Sequence, residues 1–373
     1  MTQDIRNFLP CDLLAIGEPT HGEPAFARTR NELFAQLAGQ GFRSIALETD
    51  RVAALAVDDY VRHGAGTLDA VMRVGFSHGL GNVMANRELI TWMREYNQYR
   101  SPEEQLAFHG FDTPTEMTSA PSPRRYLEHV RDYLGVDIDI LAFAGADDRW
   151  SSTEAVMDPA ASPGATADAE KLRLFADDME VALYTRAPEL VAATSADAWH
   201  CTEIHLSAGM GLLRYHRESA RQIDQQARMR RMLATRDALM AQNLLAIRHT
   251  EIGRGPTLAF AHNHHLRRNV SRWKLADLDL TWFSAGSIVG ALLGAHYVVV
   301  VGSLGRSEAL GLAEPATDSY EGILQRRFPI WGLTSGDTVG PARLRCDVAP
   351  EQGYFPLDHD TVATADGILH INA

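Results

Sequence analysis

Four short apolar runs share one pattern along the chain, in that each ends on an ionisable residue. Leu13-Leu14-Ala15-Ile16-Gly17 ends at Glu18, Ser44-Ile45-Ala46-Leu47 at Glu48, Leu106-Ala107-Phe108-His109-Gly110-Phe111 at Asp112, and Leu258-Ala259-Phe260-Ala261 at His262. Runs this short and this apolar read as buried strands. Between them the apolar spacing turns helical. Residues 23–40 place Phe26, Leu33, Phe34 and Leu37 on one stripe, with Pro24 suited to a first turn and Gly39 and Gly41 near the stop. Residues 86–99 carry Leu89, Trp92, Met93 and Tyr96 at the same spacing. From 121 to about 250 strand signal fades and helical periodicity dominates, including a long stretch over 222–249. The pattern predicts an α/β fold with a central, mostly parallel sheet flanked by helices and a large helical insertion. Residues 1–120 and 251–373 form the expected core carrying the active site, and 121–250 the insertion or lid. Residues 151–167, rich in Ser, Pro, Ala and Asp, are the expected mobile loop. Residues 297–301, 342–348 and 367–371 read as further strands, the last two as an antiparallel hairpin or sheet edge.

Ligands of open α/β sheets bind outside the carboxyl ends of the strands, so Glu18, Glu48, Asp112 and His262 are predicted to share a site. The segment Gly17-Glu18-Pro19-Thr20-His21-Gly22 turns from a strand into a helix. The helix dipole there disfavours imidazolium, which predicts a neutral His21 available as a base, with Glu18 orienting it. Arg30 falls inside the apolar stripe of the helix, and a buried guanidinium needs partners, for which Glu18 and Glu48 are the candidates. The run Ala261-His262-Asn263-His264-His265 belongs to the same sheet end. Histidines in such a cluster suit a divalent ion, but no H-E-x-x-H occurs and the expected arginines oppose a cation, so no metal is predicted. Arg236, Met240, Asn243 and Ile247 lie on one helical face, either as an internal network or as a helix that closes the site. Gly75-Phe76-Ser77-His78-Gly79 matches the G-x-S-x-G nucleophile elbow in letters. The preceding residues carry Arg73 and read equally well as helix, so a plain Gly-rich loop is expected.

Composition narrows the function classes. Among 373 residues, 35 Lys and Arg against 48 Asp and Glu leave a net charge of −13, which argues against a general nucleic-acid binder. Three widely spaced cysteines indicate neither a disulfide framework nor a Cys-based zinc site, and favour the reducing cytoplasm. No signal peptide and no membrane span are read from the sequence.

Taken in order, the motifs resemble those of the erythromycin esterase family. They are Gly17 to Gly22, Arg30 with Glu32-Leu33-Phe34, Ala46-Leu47-Glu48, Phe108-His109-Gly110-Phe111-Asp112, Arg236-Asp237-x-x-Met240-x-x-Asn243 and Ala261-His262-Asn263-x-His265. The resemblance spans roughly residues 12–305. It implies an α/β fold with a helical lobe, a cleft between them, and hydrolysis of a macrolide lactone by activated water, without a metal, cofactor or serine nucleophile. Carried onto this chain, it makes His21 the general base, supported by Glu18 and Glu48, with Arg30 and His262 stabilising charge. Either His21 or His262 could activate the water. His265, Asp112, Asn263, Arg236 and Asn243 then bind substrate or hold the catalytic groups. The loop over 75–86 and the insertion depart from the resistance enzymes, so the chemistry carries over better than the macrolide. The expected partner is a small-molecule ester or lactone. The alternatives are a biosynthetic enzyme performing acyl transfer, cyclisation or elimination, a metal-dependent hydrolase, or a non-catalytic binder of haem or a metabolite.

Overall fold

In the computed structural model, which describes residues 4–373, the four apolar runs are strands β1 (Leu13–Glu18), β2 (Ser44–Asp50), β3 (Ala107–Asp112) and β4 (Thr257–His262). They pair in parallel in the order β3-β2-β4-β1. Helices cover both faces, which is why the strands lack polar alternation. Along β1, Leu14 and Ile16 join one core with Phe26, Leu33 and Phe34, while Leu13 and Ala15 join the opposite core with Met240 and Leu244. A hairpin of β5 (Ser271–Leu275) and β6 (Leu278–Trp282) stands apart from the main sheet. Beyond β1 the sheet continues through β7 (Tyr297–Leu304), and β8 (Trp331–Ser335) lies at its far edge, separated from β7 by β9 (Gly367–Ile371). Only β8 runs antiparallel among the seven strands. The predicted α/β architecture is therefore the one observed.

Helix α1 (Pro24–Ala38) begins with proline in its first turn, and the Glu23 side chain accepts from the Ala25 amide. Next come α2 (Arg51–His63), α3 (Leu68–Val74) and α4 (Met84–Asn97). Between β3 and β4 the described chain has no strand. It runs from α5 (Arg124–Leu134) to the long helices Ala196–Ser219 and Gln225–Thr250. This stretch has a core of its own, built on Leu127, Trp150, Leu172 and Leu213.

Three expectations change. Residues 151–167 are packed rather than loose. They contain the helix Thr153–Met157, whose Ala155 and Val156 are buried, and a turn in which Gly164 presses on His216. A Cβ at Gly164 would lie 1.9 Å from the His216 carbonyl oxygen, so the small residues serve close approach. Residues 342–348 form no strand. Arg345 there turns inward and donates to the carbonyls of Leu304, Gly305 and Ala313 at 2.7 to 3.0 Å. The antiparallel partner of β9 is β8 instead. The β5–β6 hairpin was not anticipated, and its turn holds Ala276 at φ 49°. As expected, Gly75 to Gly79 is a loop, and helix α3 rather than a strand precedes it. Ser77 Oγ lies 2.8 Å from the Asp50 amide, which donates to it, so the hydroxyl is a tie between loop and sheet.

Candidate active site

Parallel pairing makes Glu18 and His262 register partners, and Glu48 reaches across from β2 to accept the His262 amide at 2.8 Å. Glu48 is the hub of the site. Its Oε1 lies 3.3 Å from His265 Nε2 and 3.4 Å from Arg236, and its Oε2 lies 3.9 Å from His21 Nε2. Burial opposes the Glu48 charge, but His265, His21 and Arg236 outweigh it and lower its pKa.

His21 Nδ1 is 2.8 Å from Glu18 Oε1. That bond places the Nδ1 proton toward the carboxylate and turns Nε2 to the cavity. Burial opposes the charged ring, but the neighbouring Glu48 and the bonded Glu18 raise its pKa to about 9. The resting ring is therefore protonated at neutral pH, contrary to the neutral ring expected from the helix dipole. Two close carboxylates prevail because α1 begins three residues further on, and the dipole acts only over its first turn.

His262 is the opposite case. Burial, aided by the positive fields of His264, His21 and His265, drives its pKa well below the ordinary value and keeps it neutral. Its Nδ1 accepts from the His264 amide at 3.2 Å, which assigns the ring proton to Nε2. That Nε2 is buried and forms no hydrogen bond of normal geometry, although the Pro19 backbone acts on the ring. The His21 and His262 rings are 5.4 Å apart.

His265 donates from Nδ1 to Asp237 at 2.9 Å. Burial opposes its charge too, but Asp237 and Glu48 raise its pKa. Asp237 also accepts from Trp282 Nε1 at 2.6 Å and the Ala285 amide at 2.8 Å. Asp112, fully buried, receives Arg236 Nε at 3.1 Å and His78 Nε2 at 2.9 Å. Burial alone would raise its pKa, yet Arg236 and His78 hold the carboxyl well below the usual range.

Arg30 is buried as expected, but among the described residues no carboxylate lies within 4.0 Å of it, and the expected partner Glu18 supports its charge only from further away. Its guanidinium bonds Asn31 Oδ1 at 2.7 and 3.1 Å and stacks over Phe260 at 4.9 Å. Asn263 stands behind the site. It reaches over Gly17 to bond both backbone groups of Gly302 at 2.8 Å, tying β4 to β7 across β1. A Cβ at position 17 would sit 2.2 Å from Asn263 Oδ1. Gly17→Ala should therefore cost about 1–3 kcal/mol of stability, read by urea unfolding; an unchanged midpoint would show that the Asn263 tie is slack. Asn243 also points away from the cavity around Glu48, donating to the Phe111 carbonyl and accepting from Arg51 at 3.0 Å.

His78 was missed as a contributor because its motif read as a loop. It adopts φ 55° and bridges Asp112 and Glu116, the latter at 2.7 Å. Burial opposes its charge, but bonds to these two carboxylates raise its pKa to about 10. Asp237, which bonds His265, and His264, which lines the same cavity, were missed as well, although they adjoin Arg236 and His265 in sequence.

His21, Glu48, His78, Arg236, His262, His264 and His265 line a cavity of about 440 Å³, whose remaining wall is largely apolar and aromatic, with Tyr215, Met229, Met232, Trp273, Trp282 and Phe355. A second cavity of about 370 Å³ opens on the other side of His21 and Glu48, bordered by Glu18, Arg30 and Asn86. A hydrogen-bonded acid and base pair, a neutral N–H donor and a cationic pair thus surround one space. That is the equipment for moving a proton while an oxyanion develops.

Comparison with known proteins agrees in fold. A structure of a Bacillus cereus protein shares 16% identity, covering 99% of this chain and 90% of that one, at a TM-score of 0.69. A mutant of the erythromycin esterase EreC in its open conformation shares 18%, covering 98% and 92%, at 0.67. A succinoglycan biosynthesis protein shares 16%, covering 99% and 89%, at 0.65. No curated protein matches the sequence. The pattern that defines the erythromycin esterase family matches residues 37–369, beginning after the Gly17 to Gly22 turn, and this chain belongs to that family.

Proposed function

We propose that this protein hydrolyses a carboxylic ester or lactone of a natural-product-like molecule, using water activated by His21. The observation that carries this reading is the pair of histidines in opposite states: His21 held by Glu18 and facing Glu48, and His262 neutral with its proton on Nε2. Once its own Nε2 proton is lost, His21 takes a proton from water as the water oxygen attacks the carbonyl carbon. The carbonyl oxygen becomes an oxyanion, and the His262 N–H is the donor available to it. On collapse the C–O bond breaks, and His21 returns the proton to the leaving alcohol. His265 and Arg236 hold Glu48 in place, and Asp112 holds Arg236. The aromatic and methionine wall supports an apolar organic substrate, and the two cavities flanking His21 offer room for the acyl and alcohol parts. Membership of the erythromycin esterase family supports the reaction class. The free cysteines and acidic charge suit a cytoplasmic enzyme that binds no nucleic acid.

A second reading has one specific support, the fold shared with a succinoglycan biosynthesis protein. In it the same base activates an acceptor alcohol, and the acyl group is transferred rather than hydrolysed.

The test is mass spectrometry of an ester, lactone and macrolide panel incubated with wild type and His21→Ala, with chelator throughout. Gain of one water with wild type alone is expected. Substantial turnover by a folded His21→Ala protein would overturn the role of His21, and activity abolished by chelator would favour a metal-dependent hydrolase. Acyl transfer to an added alcohol, without water gain, would favour the second reading.

A further inference from the structure

The helical stretch carries a second group of reactive side chains away from the cavity. Cys201 and His205 are one turn apart on the helix Ala196–Ser219, on the same face, and His129 meets them from α5. The His129 and His205 rings stack with centroids 3.7 Å apart and planes within 11°. Cys201 Sγ is 3.7 Å from His205 Nδ1. One donor atom from each residue can be chosen so that all three lie within 4.8 Å of one another. A Zn–S bond of about 2.3 Å and a Zn–N bond of about 2.0 Å at a tetrahedral angle span roughly 3.5 Å, close to the observed S to N separation.

We propose that His129, Cys201 and His205 form a binding site for a borderline-soft divalent transition metal, zinc foremost, that fastens α5 to the helix Ala196–Ser219. A thiolate with two imidazoles is a donor set for zinc rather than for magnesium or calcium, which take oxygen ligands. Three ligands leave a fourth position for water, in keeping with the partial exposure of all three residues. Among the described residues, no carboxylate is hydrogen-bonded to any of them. Without metal, His205 Nδ1 donates to the Cys201 carbonyl at 2.8 Å; binding at Nδ1 exchanges that bond for the metal, places the ring proton on Nε2 and turns His129 out of the stack. The nearby cation Arg125 is turned to Asp50, 3.5 Å away, which removes part of the repulsion an incoming ion would meet. On binding, the Cys201 S–H bond breaks, the sulfur lone pair forms the metal bond, and the proton passes to solvent.

The consequence is mechanical. Tyr126, whose ring centroid is 6.4 Å from that of His205, donates its hydroxyl to Asp50 at 3.4 Å, two residues beyond Glu48. A metal here braces the helices that pack behind the β2 tip.

The test is titration of full-length, metal-free protein with Co²⁺, in a Cys346→Ser background that removes the exposed thiol. A thiolate-to-cobalt charge-transfer band saturating at one equivalent, displaced by Zn²⁺ and accompanied by a rise in Tm, is the expected result. The catalytic histidines cannot produce that band, because they offer no sulfur. Cys201→Ser should abolish it, and His129→Ala should weaken binding by roughly a hundredfold. Far-UV circular dichroism checks that each variant folds. Absence of the band in the parent protein, or the same affinity in His129→Ala, would overturn the proposal.

Discussion

Glu48→Gln should lower turnover of an ester substrate by about two to four orders of magnitude, the range associated with losing acid–base organisation. The amide can keep its oxygen on the His262 backbone N–H, but its NH₂ then faces Arg236 and His265, both donors. The variant also makes a claim about pH. In wild type, Glu48 is the largest influence raising the His21 pKa, to about 9. If His21 acts as base, kcat/KM rises with pH until that group is deprotonated. Without the Glu48 charge, His21 loses its proton at lower pH, so the rising limb shifts down while the plateau falls. A limb that stays where it was would show that His21 is not the group being titrated, and would move the base to His262. Circular dichroism at each pH separates this from unfolding.

The placement of the site was legible in the sequence because it follows from sheet topology. Apolar runs that end at Glu18, Glu48, Asp112 and His262 are parallel neighbours, and parallel neighbours deliver their C-terminal residues to one edge. Less legible was everything decided by side-chain reach. Arg30 was rightly placed in the interior, but its partner is the adjacent Asn31 rather than a carboxylate, a choice that periodicity does not encode. Asn263 sits between two cavity-lining histidines in sequence and yet points back across Gly17 to the sheet. The charge on His21 follows from distances to Glu18 and Glu48, whereas the helix dipole, visible from sequence, is the weaker influence here. His78 left no local signal, because its role rests on a left-handed backbone and on carboxylates 34 and 38 residues away. At the C-terminal end, the strand expected over 342–348 failed because Arg345 finds backbone acceptors in the interior, and the edge fell to β8.

Arg236→Met should destabilise the fold by about 3 kcal/mol at neutral pH, toward the lower end of the 3–5 kcal/mol typical when one member of a buried ion pair is removed. The lower end applies because His78 remains on Asp112 at 2.9 Å. The cause is the stranded partner, since Asp112 is fully buried and its charge is sustained chiefly by Arg236. In wild type its folded pKa lies below the ordinary 3.8, so its contribution is present above that value and lost as pH falls through the depressed one. Removing Arg236 raises the folded pKa. The deficit is therefore full at neutral pH and narrows as pH falls through the new, higher value, where the carboxyl can take a proton. Urea unfolding across a pH series reads this directly, and a deficit that stays constant with pH would mean that the loss comes from packing of the arginine stem. Adding Asp112→Asn to Arg236→Met should restore part of the stability at neutral pH, because the uncompensated charge is then gone. Activity should not recover with it, since Glu48 still lacks the guanidinium 3.4 Å away that helps to hold it beside His21.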